Sequence, residues 1–234
     1  MHDIKKIAFK AILQDCKNLP TLPAVVGKLA KMAEDPDSST EQMGKVISKD
    51  HILAAKLLKL VNSAFYGFPQ RISTLSSAII LLGFSVVKSL IITASIFEFM
   101  EEQDLELWEH SLGCAVVCSV VAKRMGISDP EEVSTAGLIH DIGKVAIKIE
   151  LAKEYAEIID VMEKTNVSMR VAEKQVLGFD HAEAGGWLTE SWNLPDRLVD
   201  PITFHHNPGL ASKNSQLTSA IIYFSDILIH GMGY

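Results

Sequence analysis

The sequence predicts an all-α protein that forms a two-lobed helical bundle, and two observations lead to this class. Apolar residues recur along most of the 234-residue chain at the three- and four-residue spacing of one helix face. Capping residues, glycines and prolines stand between these periodic segments, where helices begin and end. Only a few short runs, such as Val145–Ile149, look strand-like, and they are isolated from one another.

The first half of the chain contains several short predicted helices. Each begins at a capping residue or a proline that suits the first helical turn. Some end at a glycine or at a residue that precedes proline. The predicted boundaries are, in chain order, Pro23 with Asp35-Pro36, the cap Thr40, the cap Asp50, Ser73 or Thr74 with Gly83, and Ser85 with Phe99.

Asn62 follows one of these apolar helices and precedes the aromatic loop Phe65–Pro69. We predict that Asn62 is a structural residue, which caps the helix end through its side chain or a left-handed backbone. The alternative is a partner-binding loop, because aromatic residues commonly anchor interfaces.

The segment Ala78–Phe97 is long and apolar enough to be weighed as a membrane span. Its single charge, Lys88, would lie at the bilayer centre, at a cost of about 2.5–3.5 kcal/mol. Gly83-Phe84-Ser85 also has the pattern of a helix end followed by a new N-cap. We therefore predict two buried helices of a soluble core and no membrane partner.

Composition and charge indicate a cytoplasmic globular protein. Residues 1–10 lack an apolar run with a cleavage site, which argues against a secretory signal. The three cysteines fit a reducing cytosol better than a disulfide framework. The net charge of −7 argues against a non-specific nucleic-acid binder. Cys114 and Cys118 lie one helical turn apart and are predicted core residues, with soft metal ligation as the alternative.

An acidic stretch, Glu98–Glu109, separates the two halves of the chain. We place the boundary near residue 103, so that one helical lobe spans residues 1–103 and a second spans residues 104–234. Periodicity predicts seven further helices in the second lobe. These lie at about residues 106–125, 131–141, 151–164, 168–177, 181–192, 195–206 and 215–230.

Five histidines and two aspartates of the second lobe are candidates for one metal centre. They are His110, the adjacent His140 and Asp141, His181, the pair His205 and His206, and Asp226. Imidazole and carboxylate are ligands of Fe, Mn, Ni and Zn, whereas thiolates would suggest a structural Zn site. A shared aspartate can bridge two metals about 3.5–4 Å apart, the spacing used for phosphoester hydrolysis. The alternative is a polar network in which these residues hydrogen-bond to one another.

The motif GLIHDIGK around His140 resembles the HD superfamily of metal-dependent phosphohydrolases. Further motifs narrow the resemblance to the HDOD family (HD-related output domain), and it extends from about Leu19 to Asp226. These motifs are Leu19–Pro23, Leu57–Ala64, Ser77–Gly83, Leu107–Ser111 and Asp180–Gly185. The resemblance implies a helical, two-lobed protein of bacterial signalling with an HD-domain-like C-terminal lobe. Many members of the family have lost the hydrolase ligands.

The resemblance also implies roles for the candidate residues. One metal would be held by His110, His140, Asp141 and Asp226. The second would be held by Asp141, His181, His205 and His206. Asp141 and Lys144 would be the catalytic pair, with Lys144 facing a substrate phosphate.

His181 matches an additional histidine of the two-metal HD-GYP branch. In that branch the His-His pair leads into a Gly-Tyr-Pro loop that helps to define the cyclic-di-GMP pocket. Here Asn207–Leu210 follows instead, so we do not expect cyclic-di-GMP hydrolysis.

Two functions follow as hypotheses. The first is a regulatory output domain of bacterial signal transduction, which acts by binding a metal, a nucleotide or a partner protein; a metal-free helical scaffold is a variant of it. The second is a metal-dependent phosphodiesterase or phosphohydrolase that acts on a nucleotide or phosphoester. The retained ligands favour the second, whereas the family and the absent loop favour the first. We expect one or two divalent transition metal ions as cofactors, and signalling proteins or a nucleotide as partners.

Overall fold

The computed structural model describes residues 2–14, 28, 32, 38–48, 58, 61–62, 72–83, 105–192 and 194–233. All regular secondary structure in these residues is helical, which confirms the predicted all-α class. The chain forms two compact units. The smaller unit is Pro20–Phe99, and the larger unit joins Met1–Leu19 to Met100–Tyr234. The predicted lobe of residues 1–103 included the N-terminal segment, whereas contacts group that segment with the larger unit.

Helix α1 (His2–Gln14) belongs to the larger unit, and the smaller unit contributes two described helices, α2 (Thr40–Ile47) and α3 (Leu75–Leu82). The cap of α2 is Ser39 rather than the predicted Thr40. Ser39 can form a capping box, because Gln42 stands three residues later and each side chain accepts the other's backbone N–H. The α3 helix follows Thr74 and ends at Gly83, as predicted.

Several sequence predictions for the smaller unit lie outside the described residues. These are the helices predicted to begin at Pro23, Asp50 and Ser85, apart from isolated positions, and the aromatic loop Phe65–Pro69. Of the segment Ala78–Phe97, the structure describes the part that completes α3 and ends at Gly83. Among the described helices, none has the length and hydropathy needed to cross a membrane.

Asn62 ties a helix end to the backbone that leads into α3. Its Nδ2 donates to the carbonyl oxygens of Leu58 at 2.7 Å and Ile72 at 2.8 Å. Its Oδ1 accepts from the N–H of Ile72 at 2.7 Å. The structural role predicted for Asn62 is therefore confirmed.

The larger unit continues from residue 105 as a series of helices. They are α4 (Leu105–Arg124), α5 (Pro130–Ile139), α6 (Ile142–Glu150), α7 (Ala152–Thr165), α8 (Met169–Val176), α9 (His181–Ser191), α10 (Asp196–Phe204) and α11 (Gln216–Gly231). Helix α4 packs against α5 and α11, while α9 packs against α1, α6 and α10.

Helix α6 contains the run Val145–Ile149, which looks strand-like in the sequence and lies outside the helices predicted from it. Ile142, Val145 and Ala146 are buried and follow the i, i+3, i+4 spacing of a helix face. Burial of this face outweighs the weak preference of β-branched residues for strands.

Gly143 allows α6 and α9 to meet backbone to backbone. A Cβ atom at this position would lie 1.9 Å from the carbonyl oxygen of His181 and 2.6 Å from the backbone nitrogen of Gly185. No side chain fits there, so the close approach requires glycine. The contact brings the residues that precede α6 close to the beginning of α9.

An aromatic cluster anchors α1 to α9. Helix α1 is not among the helices predicted from the sequence. Phe9 is 1% exposed and stacks on Phe179, with ring centroids 5.2 Å apart. Trp187 contacts both rings edge-on, at 6.5 Å from Phe9 and 5.1 Å from Phe179. The ammonium groups of Lys10 and Lys6 lie 4.6 Å and 5.0 Å from the centroid of the Trp187 ring.

We predict that Phe9→Ala lowers the free energy of unfolding by about 3–5 kcal/mol, because it removes a buried ring and leaves a cavity. Urea denaturation would measure the loss. Ile7→Ala is the matched control on the same helix, since Ile7 is 68% exposed and should change stability by less than about 0.5 kcal/mol. Equal effects of the two substitutions would contradict the packing of α1.

We predict that Asn62→Ala destabilises the smaller unit by about 1–2 kcal/mol, because three partly exposed hydrogen bonds are lost. Thermal denaturation followed by circular dichroism would measure the change. Lys45→Ala on α2 serves as a control, since its side chain is 72% exposed and its ion pair contributes little. An Asn62→Ala melting curve identical to wild type would contradict the capping role.

Candidate metal centre

The seven candidate ligands come together in the larger unit. Most stand at helix termini: His140 and His205 follow the last residues of α5 and α10, Asp141 precedes α6, and His181 begins α9. The others are His110 in α4, His206 after α10 and Asp226 in α11. These positions agree with the sequence analysis; that the residues bind metal stays a prediction.

The carboxylate of Asp141 lies between two groups of imidazoles. Its Oδ2 is 3.4 Å from Nε2 of His140 and 3.8 Å from Nε2 of His110. Its Oδ1 is 3.3 Å from Nε2 of His181 and 3.9 Å from Nε2 of His205. Each oxygen therefore faces one of the two ligand groups, and the side chain is only 2% exposed.

Asp226 and His206 close the other side of the cluster. Oδ1 of Asp226 lies 3.2 Å from Nε2 of His110 and 4.0 Å from Nε2 of His140. Its Oδ2 lies 3.9 Å from Nδ1 of His206. Asp226 therefore faces members of both predicted ligand sets. Nε2 of His206 is 2.8 Å from Nε2 of His181.

The hydrogen bonds and burial of His140 and His205 indicate whether this donor set fits a metal. Both rings are fully buried, and each Nδ1 lies 2.7 Å from a carbonyl oxygen three residues earlier, that of Gly137 or Ile202. Because a carbonyl only accepts, Nδ1 carries the proton and Nε2 presents a lone pair. Neither Nε2 has a hydrogen-bond partner among the described residues.

The charge states of these two rings also favour a bound metal. Burial lowers the pKa of His140, and burial together with His140 lowers the pKa of His205 well below its ordinary value. Both rings are therefore neutral near pH 7, and their Nε2 lone pairs face carboxylate oxygens. Hydrogen bonds among the residues that the structure describes leave these atoms unsatisfied, whereas a divalent cation would satisfy them.

Lys144 partly balances the charge of Asp141. Burial alone would raise the pKa of Asp141, but His140 and Lys144 hold it well below its ordinary value. The ammonium of Lys144 donates to Oδ2 of Asp141 at 2.5 Å. The predicted contact of Lys144 with a substrate phosphate stays a prediction.

Glu173 is a member of the site that the sequence analysis missed. It is fully buried in α8, and its Oε2 accepts the backbone N–H of His181 at 2.9 Å and lies 2.7 Å from Nδ1 of that ring. The carboxylate holds the proton on Nδ1, so Nε2 of His181 is presented to Asp141 and His206. The only signal in the sequence is a glutamate eight residues before His181, and glutamates are too common for that spacing to be informative.

Comparison with known proteins places this geometry in a family. The model of the HDOD domain matches residues 19–208, which covers most of the chain. An HDOD domain protein of unknown function from Geobacter sulfurreducens has a solved structure that is 27% identical. That match covers 97% of this chain and 78% of the other, with a TM-score of 0.81.

Two further relatives have lower sequence identity. A protein from Shewanella amazonensis SB2B, provisionally named a phosphohydrolase, shares the fold. It is 24% identical, with a TM-score of 0.79, over 97% of this chain and 81% of that chain. An uncharacterized protein of Treponema pallidum is 25% identical over 219 residues, which are 91% of this chain and 42% of that protein. The chain thus spans less than half the length of this relative.

The family match over residues 19–208 confirms the resemblance found in the sequence: the chain belongs to the HDOD domain family.

Proposed function

We propose that this chain is a signal-transduction domain that binds one or two divalent transition metal ions around Asp141, and that this centre receives a phosphate-bearing ligand such as a nucleotide. The observation that carries the proposal is the pair of buried Nε2 atoms of His140 and His205, for which the described part of the chain offers no hydrogen-bond partner. Such atoms are unfavourable in a protein core when nothing binds their lone pairs, and a cation between them and the carboxylates would bind both lone pairs. Partner proteins would be other components of cytoplasmic bacterial signalling.

The distances support the ligand sets that the family resemblance implies. Oδ2 of Asp141 joins the first set and Oδ1 joins the second. The first set is His110, His140, Asp141 and Asp226, and the second is Asp141, His181, His205 and His206. Imidazole and carboxylate donors suit Fe, Mn, Ni or Zn. When bound, such an ion supplies Lewis acidity toward a phosphoryl oxygen.

Lys144 gives the centre a positive group that can move. Its side chain is 23% exposed, and its long stem allows the ammonium to turn from Asp141 toward a ligand at the edge of the site. A cation that neutralises Asp141 would weaken the present ion pair and release the ammonium to contact a phosphate oxygen. Asp141 would then hold metal while Lys144 positions the ligand.

Hydrolysis of a phosphodiester is the second candidate function. The observation that favours it is the placement of the two Asp141 oxygens, one toward each imidazole group, as expected for an aspartate shared by two metals. Against it, a short 3₁₀ turn, Pro208–Leu210, follows the His-His pair in place of a Gly-Tyr-Pro loop.

One experiment separates the two functions. Metal-reconstituted protein is incubated with bis(p-nitrophenyl) phosphate, and nucleotide binding is measured in parallel by calorimetry. Binding without turnover supports the regulatory function. Turnover that is lost in Asp141→Ala supports hydrolysis, and absence of both contradicts a phosphate-bearing ligand.

We predict that Asp141→Ala removes all bound metal, because this carboxylate is shared by both ligand sets. His181→Ala should empty only the second site and leave about half of the metal of a fully loaded protein. Elemental analysis of protein prepared with and without oxygen measures the content. Asp160→Ala is the control, since this aspartate is exposed and pairs with Lys164 in α7. Wild-type protein without metal, or unchanged content in Asp141→Ala, would contradict the proposed centre.

We predict that Glu173→Gln weakens the second site by about 10- to 100-fold, because the ring of His181 is no longer held by a charged acceptor. The first site should keep its affinity. Competition with a chromophoric chelator resolves the two steps, and Glu190→Gln, an exposed change on α9, is the matched control. A loss that affects both sites equally would indicate a general folding defect instead.

A further inference from the structure

The geometry points to Cys114 as an additional ligand of the first metal, so that this site combines imidazole, carboxylate and thiolate donors. This inference rests on the proposed metal centre and makes its metal preference more specific. Neither the sequence resemblance nor the ligand sets described above include this residue.

Cys114 lies one helical turn after His110, on the same face of α4. Its side chain is fully buried, and its Sγ is 3.5 Å from Nε2 of His110. A sulfur and a nitrogen bound to one zinc ion at about 2.3 Å and 2.1 Å, with a near-tetrahedral angle, are about 3.6 Å apart. The observed separation suits an S–H···N hydrogen bond, and it also matches the spacing of two ligands of a common ion.

The other donors of the first set surround the same point. One atom from each of His110, Cys114, His140 and Asp226 lies within 4.8 Å of the others. The His140 donor is the buried Nε2 that lacks a partner among the described residues. That atom is an independent sign that a cation belongs between these side chains.

Cys118 shows what a purely structural thiol does in the same helix. It lies one turn beyond Cys114, is also fully buried, and donates from Sγ to Oγ of Ser225 at 3.3 Å. The partner of Cys118 is a hydroxyl that accepts a hydrogen bond and lies outside the proposed ligand sets, whereas the partner of Cys114 is the imidazole of His110, a member of the first set. Both thiols are buried, as the predicted core role requires, but only Cys114 stands among ligand atoms.

Binding through Cys114 would break the S–H bond and release the proton to solvent, while the sulfur lone pair forms the bond to the ion. A thiolate donor favours Zn²⁺, Fe²⁺, Co²⁺ or Ni²⁺ and disfavours Mn²⁺ and Mg²⁺. The imidazole and carboxylate donors suit Fe, Mn, Ni and Zn. A thiolate ligand reduces this set to Fe, Ni and Zn.

Cobalt spectroscopy tests the inference on the full chain. Metal-free protein is titrated with Co²⁺ under anaerobic conditions and followed in the visible and near-ultraviolet. Wild type should show visible ligand-field bands and a near-ultraviolet band from sulfur-to-cobalt charge transfer. Cys114→Ser and Cys114→Ala should keep the visible bands but lose the near-ultraviolet band. Their Zn²⁺ affinity should fall by at least about tenfold, with little change for Mn²⁺.

The three cysteines of the chain also provide a control that retains Cys114. In the double variant Cys16→Ser/Cys118→Ser, Cys114 is the sole thiol, so its near-ultraviolet band must equal that of wild type. The band of this double variant tests ligation by Cys114 even if the Cys114 variants fold poorly.

The possible results distinguish ligation by Cys114 from the existence of the metal centre itself. Visible bands without the near-ultraviolet band in wild type, or a near-ultraviolet band that survives in Cys114→Ser, overturn ligation by Cys114 while the metal centre stands. Wild-type protein that gains no visible bands overturns the metal centre, and ligation by Cys114 with it.

Discussion

The buried carboxylate of Asp141 sets the constraint that the larger unit has to meet. At 2% exposure it has lost nearly all of its hydration, and an ionised group in such a place must be compensated by nearby positive or polar groups. Lys144 provides one from the first turn of α6. Imidazoles from α4, α9 and the ends of α5 and α10 surround the remaining oxygen surface. The helices of this unit are thus arranged so that their functional ends meet around one side chain.

Helix ends suit this task because their last carbonyl groups run out of partners within the helix. His140 and His205 use this in the same way: each ring follows the last residue of its helix, and its Nδ1–H donates to the carbonyl three residues earlier. One hydrogen bond satisfies part of the helix end, fixes the tautomer and directs Nε2 inward. Glu173 does the corresponding work for His181, which begins its helix and therefore has no preceding turn of carbonyls to use.

The parts of the molecule that could be predicted from the sequence are those encoded locally. Periodicity and caps predict most helices of the larger unit, and the resemblance to the HD superfamily implies which histidines and aspartates belong to one site. Features that depend on contacts between distant elements could not be predicted. Helix α1 owes its place to the stacking of Phe9 on Phe179, and α6 is helical because its apolar face is buried despite β-branched residues. Glu173 likewise can be identified as a partner of His181 only once α8 lies beside that ring, and the sequence leaves Cys114 open between a core residue and a metal ligand.

Gly143 imposes a constraint of another kind, which bears on how such a chain diverges over evolutionary time. Exchanging a histidine or aspartate of the site for a residue of similar volume removes its polar contacts but brings no atom into collision with a backbone. Gly143 has no such freedom, since any side chain would collide with the backbone of α9. A lineage that gave up metal chemistry would be expected to retain this glycine for as long as α6 and α9 stay packed. In an alignment, the glycine would mark common descent of the architecture, whereas the imidazoles would mark which branches still use it for chemistry.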